Sequence, residues 1–173
     1  MQDNPADTAF PDPGHDHGSC VLDTLTRAEE IFAARGLRFT PLRRRVLEQI
    51  AGSHTAVGAY DILDRLARLG ERRLAPISVY RALDSLVETG LVHRLESRNA
   101  FFACHSAHAG DRRQVVLACD ACGAVAEMPS ETVFDGIAAV ARAAAFRPSR
   151  TMVEVIGSCG RCSSTKAEAK PHG

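Results

Sequence analysis

Residues 77–103 read ISVYRALDSLVETGLVHRLESRNAFFA. The apolar residues in the first half recur at the spacing of one helix face, which predicts a helix over Ile77–Thr89. Gly90 stands where a left-handed residue commonly ends a helix. Two short apolar runs then follow, separated by a polar turn, and they predict a β-hairpin over 91–95 and 100–103. The fold therefore contains a helix that leads directly into a hairpin.

Three further helices are predicted upstream of this stretch. The segment Thr24–Leu37 carries apolar residues at helical spacing, and so does Ala59–Leu69. Between them, Thr40-Pro41 offers a side-chain N-cap and a proline in the first helical turn, which predicts the start of another helix. Helices followed by a hairpin predict a winged-helix DNA-binding domain over residues 21–104.

The remaining chain predicts a second, smaller domain of α+β type over residues 105–164. Two strands are expected at 115–118 and 124–128, and an alanine-rich helix at 131–145. An alternating segment at 151–156 predicts a third strand. The protein as a whole is thus expected to be α+β, with a winged-helix domain followed by a small α/β dimerisation domain.

The two ends of the chain lack the periodic apolar positions of a packed element. Residues 1–20 contain several proline and glycine breakers and are predicted to be a disordered tail, and residues 165–173 a flexible one. His15 and His17 could bind a metal, but a short histidine-containing tail is more often solvated. Cys20 receives the same interpretation.

The composition excludes some functions without selecting one. The chain has 173 residues and no net charge, with 21 basic and 21 acidic side chains. Val21–Arg98 holds thirteen arginines and ten acidic residues, an excess too small to indicate nucleic-acid binding by itself. No apolar run reaches the roughly 18 residues of a membrane span, and the N-terminus does not resemble a secretion signal. We therefore expect a cytoplasmic protein.

Four of the six cysteines form the strongest chemical pattern. Cys119 and Cys122 are separated by two residues, as are Cys159 and Cys162. Two such pairs can complete a closed four-thiolate shell around zinc, and a closed shell stabilises a fold but offers no open position for catalysis. A redox Cys-x-x-Cys is the alternative, but no thioredoxin-like βαβ pattern accompanies it.

Several motifs also occur in a characteristic order. They are AYDIL (59–63), SVYRALD (78–84), GLVHRLE (90–96), Cys104-His105, and CDACGA (119–124) followed by Glu127. Together these motifs resemble the ferric uptake regulator superfamily, and within it the zinc uptake regulator branch. The resemblance covers about residues 21–163, which is nearly the whole chain outside the predicted tails.

The resemblance implies a zinc-responsive transcriptional repressor that binds operator DNA as a homodimer and controls zinc-uptake genes. The fourth helix would then enter the major groove. Tyr60 and Arg81 match positions that approach base edges in the zinc branch. Arg43, Arg44 and Arg45 would contact phosphates, unless they form only a solvated helix face.

The resemblance also implies a second, regulatory zinc site with His93, Cys104 and Glu127 as ligands. Each subunit would then bind two zinc ions, one structural and one regulatory. The fourth ligand departs from the family pattern, because Arg112 stands where a histidine is expected. His108 is the best substitute, with His105 next.

Two rival functions stay open from the sequence. A sister regulator of iron, manganese or peroxide is disfavoured by the thiolate of Cys104, because such sensors use sites rich in nitrogen and oxygen ligands. A zinc hydrolase or thiol oxidoreductase would use His93, Cys104 and Glu127 as catalytic groups. No nucleophile triad, phosphate loop or dinucleotide motif accompanies those residues, so we expect no enzyme.

Overall fold

The computed structural model describes Phe10 and residues 17–70, 74–104 and 113–168. These residues form two compact units. The N-terminal unit consists of the two middle ranges, and the C-terminal unit consists of the last range together with Phe10. Within the described ranges, no helix has both the length and the hydrophobicity required to cross a membrane.

The N-terminal unit contains four helices and a small sheet. Its elements are α1 (His17–Ala34), α2 (Pro41–Ala51), β1 (Val57–Gly58), α3 (Ala59–Arg68), α4 (Pro76–Glu88), β2 (Val92–Leu95), a 3-10 turn (Glu96–Arg98) and β3 (Ala100–Ala103). The strands are antiparallel in the order β1-β3-β2. This arrangement of helices and a terminal hairpin is the winged helix that the sequence predicts.

Local signals in the sequence end and begin these helices as expected. Thr40 caps α2 by accepting a hydrogen bond from the backbone N–H of Arg43 at 3.4 Å. Gly90 has a positive φ of 78°, a backbone conformation that would be strained in a residue with a side chain. This conformation ends α4. The wing turns through Asn99, whose φ of 47° is also left-handed.

Helix α1 begins at His17 rather than at Thr24. Val21 packs against the core one turn before Leu25, so the apolar face of the helix extends further upstream than the sequence pattern indicates. His17 and Cys20, assigned to a solvated tail from the sequence, therefore belong to a helix. His15 lies outside the described residues.

The N-terminal unit is built around one apolar core. Side chains from all four helices and the hairpin contribute, including Phe32, Leu47, Ile50, Leu83 and Phe101. Tyr80 of α4 packs partly buried against this core. A partly buried tyrosine of this kind contributes to the core.

The C-terminal unit contains a three-stranded sheet and two helices. Its elements are β4 (Gln114–Cys119), β5 (Val125–Pro129), α5 (Glu131–Ala143), β6 (Val153–Gly157) and α6 (Gly160–Glu168). In the sheet, β4 lies at the centre, antiparallel to β5 and parallel to β6. Helix α6 is not anticipated by the sequence pattern, which carries few apolar residues there.

Candidate metal centres and DNA-binding surface

The four cysteines of the two Cys-x-x-Cys pairs meet in one cluster. Their sulfur atoms all lie within 4.8 Å of one another, and the cluster stands where β4 ends and α6 begins. The sheet brings them together, because β4 and β6 run parallel and both end at this edge, where Cys119 pairs with Gly157. Two sequence-distant turns thus converge on one point.

Backbone hydrogen bonds shape the first of these turns. The N–H of Cys119 donates to the carbonyl of Ala124 at 2.8 Å, and the N–H of Gly123 donates to the carbonyl of Cys119 at 3.1 Å. Gly123 has a positive φ of 75°, which closes the turn between the strands. The turn therefore holds Cys119 and Cys122 with both sulfurs toward the second pair.

The surroundings of Cys119 and Cys159 lower the pKa of both thiols. Burial opposes ionisation of Cys119, but hydrogen bonds from the backbone N–H groups of Cys159, Cys122 and Ala121 outweigh it and lower its pKa to about 6. The N–H of Cys159 lies 3.3 Å from the Cys119 sulfur. A hydrogen bond from the backbone of Cys162 lowers the pKa of Cys159 in the same way.

The pKa of the fourth thiol, Cys162, shifts in the opposite direction. Hydrogen bonds to the neighbouring sulfurs of Cys159 and Cys122 favour the protonated form of Cys162 and raise its pKa to about 12. Four adjacent thiolates repel one another, so a divalent cation is needed to hold all four ionised. The donor set of four sulfurs with no open position fits a structural zinc ion.

Apolar contacts shield this cluster from water. Cys119 and Cys159 are buried together with Ala124, and Phe10 packs against them from the N-terminal segment. Sequence reasoning missed Phe10, because a single aromatic residue in a polar segment carries no periodic signal. Burial distinguishes Cys119 and Cys159 from exposed redox thiols, whereas Cys122 is exposed and Cys162, in the first turn of α6, is half-buried.

A second pair of residues that could hold a metal ion lies at the end of the wing. His93 in β2 pairs with Phe102 in β3, and Cys104 follows two residues later on the same face. The ligand atoms of His93 and Cys104 lie within 4.8 Å of each other. The register of the hairpin thus places an imidazole and a buried thiol side by side, as a metal pair requires.

Two backbone contacts hold Cys104 in this position. Its N–H donates to the carbonyl of Leu91 at 3.0 Å, which extends the hairpin by one residue pair. The guanidinium of Arg27 in α1 donates to the carbonyl of Cys104. Nothing in the sequence pattern singles out Arg27, because it reaches Cys104 across the fold.

Of the other expected regulatory ligands, Glu127 belongs to the C-terminal unit. Glu127 is half-buried in the middle of β5, opposite Val116 of β4. His108 and His105 lie outside the described residues, as does Arg112. The parts of Glu127, His108 and His105 in a regulatory site stay predictions from the sequence.

Helix α4, the helix that the sequence predicts to enter the major groove, has one exposed face. Arg81 is exposed, whereas Val79, Ala82 and Leu83 on the opposite side are buried. Tyr60, at the start of α3, is 69% exposed despite its size.

The position of α4 is reinforced at its C-terminal end. Arg35 donates hydrogen bonds to the carbonyls of Glu88 and Thr89, at 3.0 and 3.5 Å. These carbonyls have no partners within the helix, and a cation there also opposes the negative end of the helix dipole. Nothing in the sequence pattern singles out Arg35, because its partners lie more than fifty residues further along the chain.

The three successive arginines of α2 already have partners in the chain. Arg43 lies over the ring of Phe32 and donates to the carbonyl of Arg38. Arg44 lies over the ring of Phe39 and forms an ion pair with Glu29. Arg45 donates to the carbonyl of Pro41 at 3.4 Å. All three guanidinium groups stay near the surface, so these contacts orient them without burying their charge.

The fold and the cysteine cluster define a class of winged-helix regulators, and comparison with known proteins identifies the family. The model of the ferric uptake regulator family matches residues 34–156. The chain belongs to this family. It is 38% identical over 149 residues to the zinc uptake regulation protein of Escherichia coli K12, a match that covers 86% of each chain.

Solved structures give the same result. A zinc uptake regulator complexed with zinc and DNA superposes with a TM-score of 0.79 at 37% identity, covering 85% of this chain and 97% of the other. The holo form of XcZur superposes with a TM-score of 0.73 at 38% identity, covering 83% of this chain and 99% of the other. Membership in a family of transcription regulators confirms the expectation that the chain is not an enzyme.

Proposed function

We propose that this protein is a zinc-responsive, sequence-specific transcriptional repressor that binds operator DNA as a zinc-loaded homodimer and controls zinc-uptake genes. The observation that carries the proposal is the pair His93 and Cys104, placed together at the end of a wing in a chain that also has a closed four-cysteine cluster. The identities of 37–38% to zinc uptake regulators support the choice of metal.

The two metal centres have different tasks in this proposal. Cys119, Cys122, Cys159 and Cys162 hold a structural zinc ion that contributes folding free energy to the C-terminal unit. His93 and Cys104 hold a regulatory ion together with Glu127 and a histidine, for which His108 is the first candidate. The protein therefore binds two zinc ions per subunit.

The regulatory ligands come from both units, and this origin supplies the mechanism. Without metal, the two winged helices of a dimer sample many orientations, of which few match the spacing of successive major grooves. Ligation by His93, Cys104 and Glu127 restricts the sampling. If about 1% of the metal-free dimers are competent, full restriction strengthens operator binding about a hundredfold, or near 2.7 kcal/mol.

The dimer is formed by the C-terminal unit. Its helix α5 buries only Phe134, while Val140 is 72% exposed and Phe146 is 64% exposed. Val140 and Phe146 line an apolar groove that continues to Met152. A surface of this kind is unfavourable in a monomer, and a second copy of the chain would cover it.

Arg81 and Tyr60 read the operator in the major groove, and Arg43, Arg44 and Arg45 contact its phosphates. The exposure of Arg81 on α4 and of Tyr60 at the start of α3 supports the first assignment. The stacking of Arg43 and Arg44 on phenylalanine rings supports the second, because it orients the guanidinium groups in advance. The protein acts in the cytoplasm, where its DNA lies.

Operator binding at buffered free zinc tests the proposal. We expect affinity of the wild type to rise about a hundredfold with zinc, and the affinities of His93→Gln and Cys104→Ser to stay at the metal-free level. His172→Gln, which removes one imidazole elsewhere in the chain, is the matched control. Unchanged zinc dependence in both ligand variants would overturn the proposal, and a response to buffered iron or manganese instead of zinc would favour a sister regulator.

A further inference from the structure

From Ile77 onward, the exposed side chains of α4 form one row along the helix. Ile77, Arg81, Asp84 and Glu88 are exposed, and they follow one another at intervals of three or four residues, which places them on one side of the helix. Ile77 is the second residue of α4. The row therefore begins with an apolar side chain at the N-terminal end of the helix and continues with the guanidinium of Arg81.

The N-terminal end of α4 offers apolar side chains instead of hydrogen-bonding ones. Ala75, Pro76 and Ile77 are all exposed, and Ala75 at the N-cap position makes no side-chain capping bond. Pro76 fixes its own backbone φ, and the branched Cβ of Ile77 leaves one strongly preferred side-chain rotamer in a helix. Ile77 can therefore contact an apolar group without losing much side-chain freedom.

The position of Ile77, and not its exposure, points to a role in DNA recognition. Its side chain is 58% exposed, but single apolar side chains are common on protein surfaces. The N-terminal residues of a recognition helix are those that contact base edges in the major groove. Of the groups that base edges present there, the apolar one is the 5-methyl of thymine. An aliphatic side chain at this place in the row matches that methyl group.

We propose that Ile77 contacts the 5-methyl group of a thymine in each half-site of the operator. This inference rests on the proposed function, in which α4 enters the major groove and Arg81 contacts a base. Side chains four residues apart on a helix have Cβ atoms about 5–6 Å apart, and successive base pairs are separated by about 3.4 Å. The thymine therefore lies within two base pairs of the base that Arg81 contacts.

Replacement of thymine by deoxyuridine tests this contact, because it removes only the methyl group. The operator is first selected from random-sequence DNA with the zinc-loaded wild-type protein, and each thymine of its half-sites is then replaced in turn. At one thymine position, the wild type should lose about fourfold in affinity per half-site, as expected for one buried methyl-sized group. Ile77→Ala should bind the thymine operator at least as weakly, and it should lose nothing further when that thymine is replaced.

Leu69→Ala is the matched control. Leu69 is apolar and 68% exposed like Ile77, but it follows the last residue of α3, at the opposite end of that helix from Tyr60. This variant should bind both operators like the wild type. Circular dichroism and thermal unfolding check that both variants are folded.

Two results would overturn the contact and leave the proposed function standing. In the first, deoxyuridine weakens binding by the wild type and by Ile77→Ala equally; in the second, no single deoxyuridine weakens binding by the wild type. In both cases the selection still yields an operator, and Arg81→Ala binds that operator less tightly. A selection that enriches no sequence would overturn the proposed function together with the contact.

Discussion

The N-terminal unit completes its own core, whereas the C-terminal unit does not. In the first, helices and hairpin enclose fully buried side chains such as Phe32, Leu47 and Leu83. In the second, α5 buries one side chain, Phe134, and apolar residues stay in solvent. The apolar surface buried sets the stability that a small unit can reach. This difference supports the proposal that the C-terminal unit gains stability from a metal ion and a second copy of the chain.

The largest effect is expected from breaking the four-cysteine cluster. Cys159→Ser should release the structural zinc, which supplies an apparent 10–16 kcal/mol in small zinc domains, and should unfold the C-terminal unit. Elemental analysis, circular dichroism and sedimentation would show loss of zinc, of strand structure and of the dimer. Ala121→Ser, at an exposed position between two of the cysteines, is the control. A Cys159→Ser dimer that folds without zinc would remove the contrast between the units.

The next effect concerns the second copy. Val140→Glu places a charge in the apolar groove of α5 and should convert the dimer to a monomer, with at least a tenfold loss of operator affinity. Analytical ultracentrifugation measures the first change and gel shift the second. Ala139→Glu, also at an exposed position of α5 but outside the groove, should stay dimeric. If both variants dimerise like the wild type, another surface pairs the subunits.

A substitution in the N-terminal unit should impair recognition without loss of stability. Arg81→Ala removes an exposed guanidinium and leaves the core untouched, so thermal unfolding should not change. Operator affinity should fall by about 1–3 kcal/mol, or roughly 5- to 150-fold, while binding to unrelated DNA stays nearly constant. Glu88→Gln on the same helix is the control. Equal losses on specific and unrelated DNA would assign Arg81 to phosphate contact instead.

A smaller effect is expected at Arg27, which donates a hydrogen bond to the backbone of Cys104, a proposed regulatory ligand. Arg27→Ala removes the donor to the carbonyl of Cys104 and should shift the zinc concentration for half-maximal operator binding upward by about tenfold. Affinity at saturating zinc should be retained. Arg27→Lys, which keeps a donor, should recover part of the shift. A loss of affinity at every zinc concentration would instead indicate a purely structural role.

The smallest effect should come from Phe10, which covers the cysteine cluster in the C-terminal unit. Phe10→Ala opens an apolar contact beside Cys119 and Cys159, so a chelator should extract the structural zinc a few times faster. Stopped-flow measurement with a chromogenic chelator gives the rate. Phe10→Leu, which keeps an apolar side chain, is the control. Equal extraction rates for wild type and Phe10→Ala would mean that other groups protect the site.

Local chemistry explains why much of the fold was predictable. The Thr40 cap and the Gly90 stop act within a few residues of the helices that they bound, so their effects are visible in a linear pattern. The spacing of Cys119 from Cys122 reports one turn in the same way. The start of α1 was misplaced because Val21 is stabilised by the distant core and not by its neighbours.

The sequence by itself determined the order of helices and strands, the winged-helix class and the two cysteine turns, because these depend on periodicity and short-range bonds. Only the tertiary structure decided which residues meet. The hairpin register put His93 beside Cys104, the parallel pairing of β4 with β6 joined the cysteine turns, and the path of α1 brought Arg27 to the carbonyl of Cys104. Such contacts depend on register and packing between remote segments, and no local pattern encodes the distance between them.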